Sequence, residues 1–291
     1  MIKYSIVIPH YNDKENLINL LRSISFNKSI EIIVIDDNSN LSLSELSEIQ
    51  KYSSSLIINS GCKGAGSCRN LGLNAASGKW IIFADSDDLF EKDFISIIEK
   101  EISQDFNDDV DVFYFNPVSR KIKDGSLGTR HGFYRNLIYD YFENGSDYIR
   151  YKFHVPWSKV IRREFLLKNN ILFDEVIASN DIIFSLKLGI NAVVIKCSKN
   201  TFYCVTEREG SLTSSPNFER MQSRLYAMIR YNDYLYMHNK KNMQMPIVVV
   251  VRSFAKYMNF EILLKLAFGF FKGKYKLFPG GCYFDIKRLE S

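Results

Sequence analysis

The stretch that most constrains this chain is Lys79 to Asp88, KWIIFADSDD. A short apolar run, Trp80 to Ala84, starts just after Gly78 and leads straight into Asp85, Ser86, Asp87 and Asp88. A run of that length between a glycine and acids predicts a strand covered on both faces. Three carboxylates within four residues repel one another unless positive charge sits among them. Carboxylate oxygens suit Mg²⁺ or Mn²⁺, so one reading is a metal site at a strand end. The other is a solvated turn with Asp88 capping the helix that follows. On this stretch alone both readings stand.

The neighbouring sequence repeats the pattern. Strands are predicted at Tyr4–Ile8, stopped by Pro9, and at Glu31–Ile35, which ends on Asp36, Asp37, Asn38 and Ser39. Further strands are predicted at Leu56–Ile58, Val110–Phe115 and Ala192–Lys196. Helices are predicted between them. One follows Asp13 as cap and lines up Leu17, Leu20, Leu21 and Ile24. Others cover Leu43–Lys51, Ser67–Ala76, Phe94–Ile102, Asp147–Phe153 and Arg163–Asn169, and another opens at Asn180-Asp181. The polar, Gly-containing segment Arg120–Arg135 is predicted to be a mobile loop. This alternation predicts an α/β fold with a mostly parallel central sheet wound on both faces. Ligands of such sheets sit at the carboxyl ends of the strands. Three strands end in polar residues, at Pro9–Asn12, Asp36–Ser39 and Asp85–Asp88, which favours a site over three unrelated turns.

Composition narrows the class. With 291 residues and 46% hydrophobic content, the chain suits one large domain, or one domain with an appendage. The formal charge of +5 is spread along most of the chain rather than massed in a stripe, which argues against a nucleic-acid partner. Five cysteines without a CxxC pair read as reduced, cytosolic thiols rather than a disulfide frame or zinc site. No secretory signal is expected before Tyr4, and no long apolar run lacks charge, so no membrane span is predicted. From about Asn217 the character changes. A long Tyr- and Met-rich helix is predicted at Phe218–Asn239, and Pro246 starts another, IVVVVRSFAKYMNFEILLKLAFGFF, followed by a basic aromatic tail. That region either packs on the preceding domain or lies in a membrane interface, with its lysines on anionic headgroups.

The Gly-rich turn CKGAGSCRNLG is neither the dinucleotide fingerprint nor the phosphate loop. Arg69 and Asn70, on the first turn of the next helix, suit a nucleotide or diphosphate. The plain alternative for Arg69 is a surface residue.

Four segments, SIVIPHYNDKENLINLLRSI, EIIVIDDNS, GAGSCRNLGLNAASGKWIIFADSDD and WSKVIRREFLLKNNILFDE, together resemble a family 2 glycosyltransferase with the GT-A fold. The resemblance spans residues 4–190. It implies a transferase domain at 1–214, with a donor half at 1–117 and an acceptor half at 118–214, and a helical region at 215–291. It implies an inverting enzyme that uses a UDP-sugar and Mn²⁺ or Mg²⁺. The acceptor would be a hydroxyl of a saccharide or lipid-linked saccharide, in bacterial surface polysaccharide assembly. The place would be the cytoplasm, on the inner face of the plasma membrane.

Residue by residue, Asp37 would meet the uracil, with Pro9 and Tyr11 shaping the base pocket. Asp85 would contact the ribose or diphosphate, Asp87 would bind the metal, and Asp181 would be the general base. Asp36, Arg69, Ser86 and Asp88 are supporting candidates, and Arg208 lies in a segment loosely similar to one near the donor diphosphate. Trp157 is either core or a neighbour of the acceptor pocket. The family usually has Glu-Asp where this chain has Asn180-Asp181; the change bears on the acceptor contact rather than on the base. Two other classes are a sugar-phosphate nucleotidyltransferase and an inactive GT-A binding protein, the latter hinted at by Asn180.

Overall fold

The computed structural model describes residues 1–25, 27–104, 109–208 and 217–290, without the side chains of 104, 281, 282 and 284. In chain order the first half holds β1 (Tyr4–His10), α1 (Lys14–Ser23), β2 (Ile30–Asp36), α2 (Leu43–Gln50), β3 (Ser55–Ile58), α3 (Ala65–Ala75), β4 (Trp80–Phe83), β5 (Leu89–Phe90), α4 (Phe94–Gln104) and β6 (Val112–Phe115). Next come β7 (Val118–Lys121), α5 (Gly132–Asn144), α6 (Tyr148–Lys152), β8 (Lys159–Arg162), α7 (Arg163–Lys168), α8 (Asp181–Asn191), β9 (Ile195–Ser198) and β10 (Tyr203–Glu207). Four helices follow: α9 (Phe218–Met237), α10 (Ile247–Phe254), α11 (Phe260–Phe271) and α12 (Gly281–Glu290).

The large sheet runs β3-β2-β1-β4-β8-β6-β9, and a small one runs β5-β10-β7. All pairings in the large sheet are parallel except those of β8, which is antiparallel to β4 and β6. Every residue of β1 and β4 is buried, as the unbroken apolar sequence of β4 and the mostly apolar one of β1 require. Helix α3 seats directly on this centre: a Cβ on Gly72 would come within 2.3 Å of Val7 and 2.6 Å of Ile35.

Pro9 does not stop β1. It pairs with Ile35 and the strand continues to His10. The backbone of Val7 bonds toward β4, through its carbonyl to the Ala84 N–H, while the His10 carbonyl bonds toward β2 through the Asp37 N–H. In a parallel strand the sides alternate, so the donor that Pro9 lacks would point toward β4, whose pairing with β1 ends at Phe83.

The segment 120–135 is not a free loop. It completes β7 and starts α5, and Glu207 on β10 holds what lies between. One Glu207 oxygen accepts from Ser119 Oγ at 2.8 Å and from the Thr129 and Arg130 N–H groups at 2.7 Å each. The apolar run after Pro246 is likewise not one helix. A 3₁₀ turn at Ala255–Tyr257 interrupts it, and Asn259 caps α11 by accepting from the Ile262 N–H at 2.9 Å.

Most of the core lies around the large sheet. A second cluster joins Tyr151, Ile183 and Leu186 to Tyr231, Leu235 and Met243, so α9 packs on α6 and α8. A third packs Leu225 and Ile229 of α9 against Ile247, Val250, Ile262, Leu266 and Tyr275. Among the described residues no helix is long and apolar enough to cross a membrane.

Candidate active site

Strands β2, β1 and β4 are parallel neighbours, so their carboxyl ends bring Asp36–Ser39, His10–Asp13 and Asp85–Asp88 to one edge. His10 Nε2 accepts from the Asp13 N–H at 3.1 Å. Its Nδ1 therefore carries the proton and donates to Asp36 Oδ1 at 2.7 Å. Asp36 also accepts from the Ser39 N–H at 2.8 Å and the Ser39 hydroxyl at 2.5 Å. Buried and bonded on both oxygens, Asp36 braces its loop. Asp37 accepts from Asn59 Nδ2 at 2.7 Å and the Gly64 N–H at 2.9 Å, tying β2 to the Gly-rich turn. Tyr11 is nearly half exposed, and Lys63 Nζ lies 4.0 Å from its ring centroid. Pro9 is buried within β1 beneath them.

The acids after β4 do not fan out into water. Tyr203 on β10 accepts the Asp85 N–H at 2.9 Å and donates its hydroxyl to Asp88 Oδ2 at 2.8 Å. The Thr206 N–H reaches Asp88 Oδ1 at 2.8 Å, and the Thr206 hydroxyl donates to the Asp87 carbonyl. Burial, then the Asp85 and Asp87 charges, push the Asp88 carboxyl well above its usual range. Asp88 is thus a buried pin of the turn rather than a cap for α4. Ser86 is half-buried between Asp85 and Asp87. The Asp87 side chain is 41% exposed, and its Oδ2 lies 3.4 Å from Arg208 Nη2. Burial and the Asp85 charge push the Asp87 carboxyl up, against the pull of Arg208.

Arg208 reaches further, to Asp13 Oδ2 at 2.5 Å. Asp13 spends its carboxylate there and on Asn16 Nδ2, and makes no side-chain cap for α1. This departs from the expected cap, because the guanidinium is the stronger donor. Residues 209–211, the rest of that family-like segment, lie outside the described residues.

Arg69 is buried rather than a surface residue. It donates through Nη2 to Asp85 Oδ1 at 2.5 Å and through Nη1 to Asn180 Oδ1 at 2.9 Å, and lies 5.2 Å from the Phe173 ring centroid. Gly66 makes this crossing possible, because a Cβ there would sit 2.1 Å from the Asp174 carbonyl. Asn180 leads into α8, whose first residue is Asp181, partly buried. Burial pushes the Asp181 carboxyl above its usual range; Arg69 and Lys159 pull it down and Asp85 pushes it up. Asp85, Arg69 and Asp181 therefore feel one another's charge. Trp157 is core: it is buried, edge-on to Tyr134 at 5.1 Å and stacked on Tyr203 at 6.0 Å.

A sequence model described as glycosyl transferase family 2 matches residues 5–168, more than half of the chain, and takes in β1 to β4 with their polar ends. This chain belongs to glycosyl transferase family 2. A cholesterol galactosyltransferase of Borreliella burgdorferi is 30% identical to this chain over 228 residues, 73% of this chain and 62% of the relative. The poly(ribitol-phosphate) beta-N-acetylglucosaminyltransferase TarS of Staphylococcus aureus is 29% identical over 229 residues, 74% of this chain and 37% of that one. The chain thus spans less than two thirds of either relative. The crystal structure of S. aureus TarS 1–349 with UDP-GlcNAc matches 83% of this chain and 72% of that one, with a TM-score of 0.60 and 24% identity. The GT-A fold, a mostly parallel central sheet between helices with further helices after it, is the architecture of this chain.

Sequence reasoning missed Tyr203 and Thr206 as holders of the acidic turn, and Asn59 and Lys63 beside Asp37. Asn59 had a readable signal, being the residue just past a strand that pairs with β2. Tyr203 and Thr206 had none, since their partners lie more than 110 residues away.

Proposed function

We propose that this family 2 glycosyltransferase moves a sugar from a UDP-sugar to a hydroxyl of a saccharide or lipid-linked saccharide, with inversion. Surface polysaccharide assembly is the proposed setting. Residues 1–214 carry the chemistry in this reading, and 215–291 are a helical extension. The observation that supports it most is that Asp85 and Asp181, two unlike carboxylates, share Arg69 as neighbour. Asp87 is half-exposed beside Asp85, and Asp181 is partly buried with its carboxyl made more basic. The relatives lend the donor class, since TarS was solved with UDP-GlcNAc, and the Borreliella enzyme, a cholesterol galactosyltransferase, shows that a relative can take a lipid hydroxyl.

Asp37, Tyr11 and Pro9, with Lys63, form the base pocket in this reading, and Asp85 orients the ribose or diphosphate. Asp181 accepts the acceptor hydroxyl proton as the oxygen attacks the anomeric carbon and the bond to the UDP oxygen breaks. Burial suits Asp181 to that task, because a raised pKa makes a carboxylate a better proton acceptor near neutrality.

The donor set also fits a divalent cation held jointly with the diphosphate. Asp87 is a half-exposed carboxylate whose pKa is pushed up and whose contact to Arg208 is long. Among the described residues no group of three or more His, Cys, Asp or Glu side chains gathers to hold a metal. Asp87 would thus hold Mn²⁺ or Mg²⁺ with phosphate oxygens and water, the usual habit of Mg²⁺. Bound there, the ion would supply charge stabilisation to the leaving diphosphate.

The test is UDP release from UDP-sugars with Mn²⁺ or Mg²⁺ and saccharide acceptors. Asp181→Asn is expected to slow transfer by about 10²–10⁴-fold while UDP affinity holds. Asp87→Ala is expected to abolish the metal effect on UDP binding. Near-normal transfer by the Asp181 variant would remove the base from this position. Pyrophosphate as product would make the protein a nucleotidyltransferase instead.

A further inference from the structure

Helix α11 is apolar on two opposite sides. Ile262, Leu266 and Gly269 face the third core cluster, with Gly269 against the Tyr275 ring. The far side is neither covered nor polar. At about 100° per residue, Phe260, Leu263, Leu264, Ala267, Phe268 and Phe271 fall within one sector of about 140°. All six are exposed, Phe260 at 74%, Phe268 at 64% and Phe271 at 83%. The only charged residues of the helix, Glu261 and Lys265, lie between the two sectors, and Lys265 is drawn to Asp233 at 3.7 Å. A scattered exposed leucine needs no explanation, but a continuous row of phenylalanines over three turns does.

The surroundings say what covers it. Residues 246–280 hold six lysines and arginines against one glutamate, a charge of +5 that equals the formal charge of the whole chain. Arg252 and Lys256 are exposed before the stripe, and Lys272 after it, its ammonium 5.6 Å from the Phe268 ring centroid. Phe278, 65% exposed, adds an aromatic ring beyond the helix end. A second copy of this chain would bring the same positive rim against this one. An anionic lipid surface complements both features at once, because phenylalanines enter the acyl boundary while lysines stay among the headgroups.

We infer that α11 docks this protein on an anionic membrane surface, lying in its plane with Phe260, Phe268 and Phe271 inserted. The docked element is tied through α9 to α8, whose first residue is Asp181. Tyr257, just before α11, meets Phe218 of the first turn of α9 with ring centroids 5.6 Å apart. A lipid-borne acceptor would then be presented near the rim of the proposed transferase, although docking itself does not depend on that activity.

Flotation of the full chain with vesicles tests the inference. Vesicles of equal parts phosphatidylglycerol and phosphatidylcholine are expected to carry the protein, and pure phosphatidylcholine to carry much less. Replacing Phe260, Phe268 and Phe271 by Ser together should weaken anionic-vesicle binding by about tenfold or more. Lys256→Glu with Lys272→Glu should weaken it too and remove its salt dependence. Unchanged melting temperature and UDP binding show that each variant is folded; if the triple variant fails this control, Phe271→Ser alone is expected to lower binding several-fold. No binding by the wild type at low salt, or equal binding by the folded variants, overturns the inference. So does a solution dimer that the same phenylalanine changes dissociate, which would make the stripe a contact between copies.

Discussion

Arg69 donates to Asp85 on one side and, on the other, to the residue just before Asp181. Where the family usually has Glu, Asn180 offers this guanidinium a neutral oxygen, so Arg69 is not drawn away from Asp85 by a second charge. Asp181 is then left to burial, which dominates its titration and raises its carboxyl above the ordinary 3.8. The sign of the effect on rate follows. The base must be ionised, and a raised pKa means protonation at a higher pH. Transfer is expected to fall about tenfold per pH unit on an acid limb centred above 3.8. A kcat–pH profile in the presence of saturating donor reads this directly; a limb at or below the ordinary value would mean that burial is not felt by the proton-accepting group.

Among the elements, β10 does more than its length suggests. Its five residues hold the acidic turn through Tyr203 and Thr206, and the 118–131 segment through Glu207, and Arg208 just beyond its end bridges Asp13 and Asp87. The need for positive charge among the acids after β4 is met in large part by this chain, with Arg69 at Asp85 and Arg208 at Asp87. Asp88 is settled by two neutral donors. A metal is therefore not required to keep the acids together, and its proposed place narrows to Asp87 and the diphosphate. Tyr203→Phe removes the hydroxyl shared by the Asp85 N–H and Asp88, leaving a buried donor and a buried carboxylate short of a partner. The expected loss is about 1–3 kcal/mol of stability, read from a urea midpoint shift at unchanged slope. A midpoint equal to the wild type would mean that the turn holds without its clamp.

At the scale of the whole molecule, α9 cannot be peeled away as an independent appendage without cost. Tyr231, Leu235 and Met243 cover Tyr151, Ile183 and Leu186, and the Tyr231 hydroxyl donates to the Tyr151 carbonyl at 3.0 Å. Helix α8, which begins with Asp181, is thus backed by residues beyond 214. A chain ended at residue 214 is expected to be largely insoluble, or to melt well below the full chain. Each large apolar side chain uncovered forfeits about 1.5–3 kcal/mol, against a total stability of about 5–15 kcal/mol. Solubility and a thermal melt of the shortened chain decide this; an unchanged melt would mean that the first 214 residues are self-sufficient.

What the sequence determined by itself was local. Unbroken apolar runs specify β1, β2 and β4, their alternation with amphipathic helices specifies a parallel sheet, and parallel neighbours must end on one edge. The polar rim was legible for that reason, as was the change of character after Asn217. Tertiary structure alone decided which rim acids face inward. Asp36, Asp37 and Asp88 look no different from Asp87 in the sequence, yet their oxygens are taken by His10, Ser39, Asn59, Gly64, Tyr203 and Thr206. It also decided that Pro9 sits inside a strand, that 120–135 is ordered by Glu207, and that α11 turns its phenylalanines outward. The physical reason is common to all of these. A buried polar group takes whichever donor or acceptor the fold brings within about 3 Å, and an apolar face is covered or bare according to what packs on it. Both depend on residues far off in the chain.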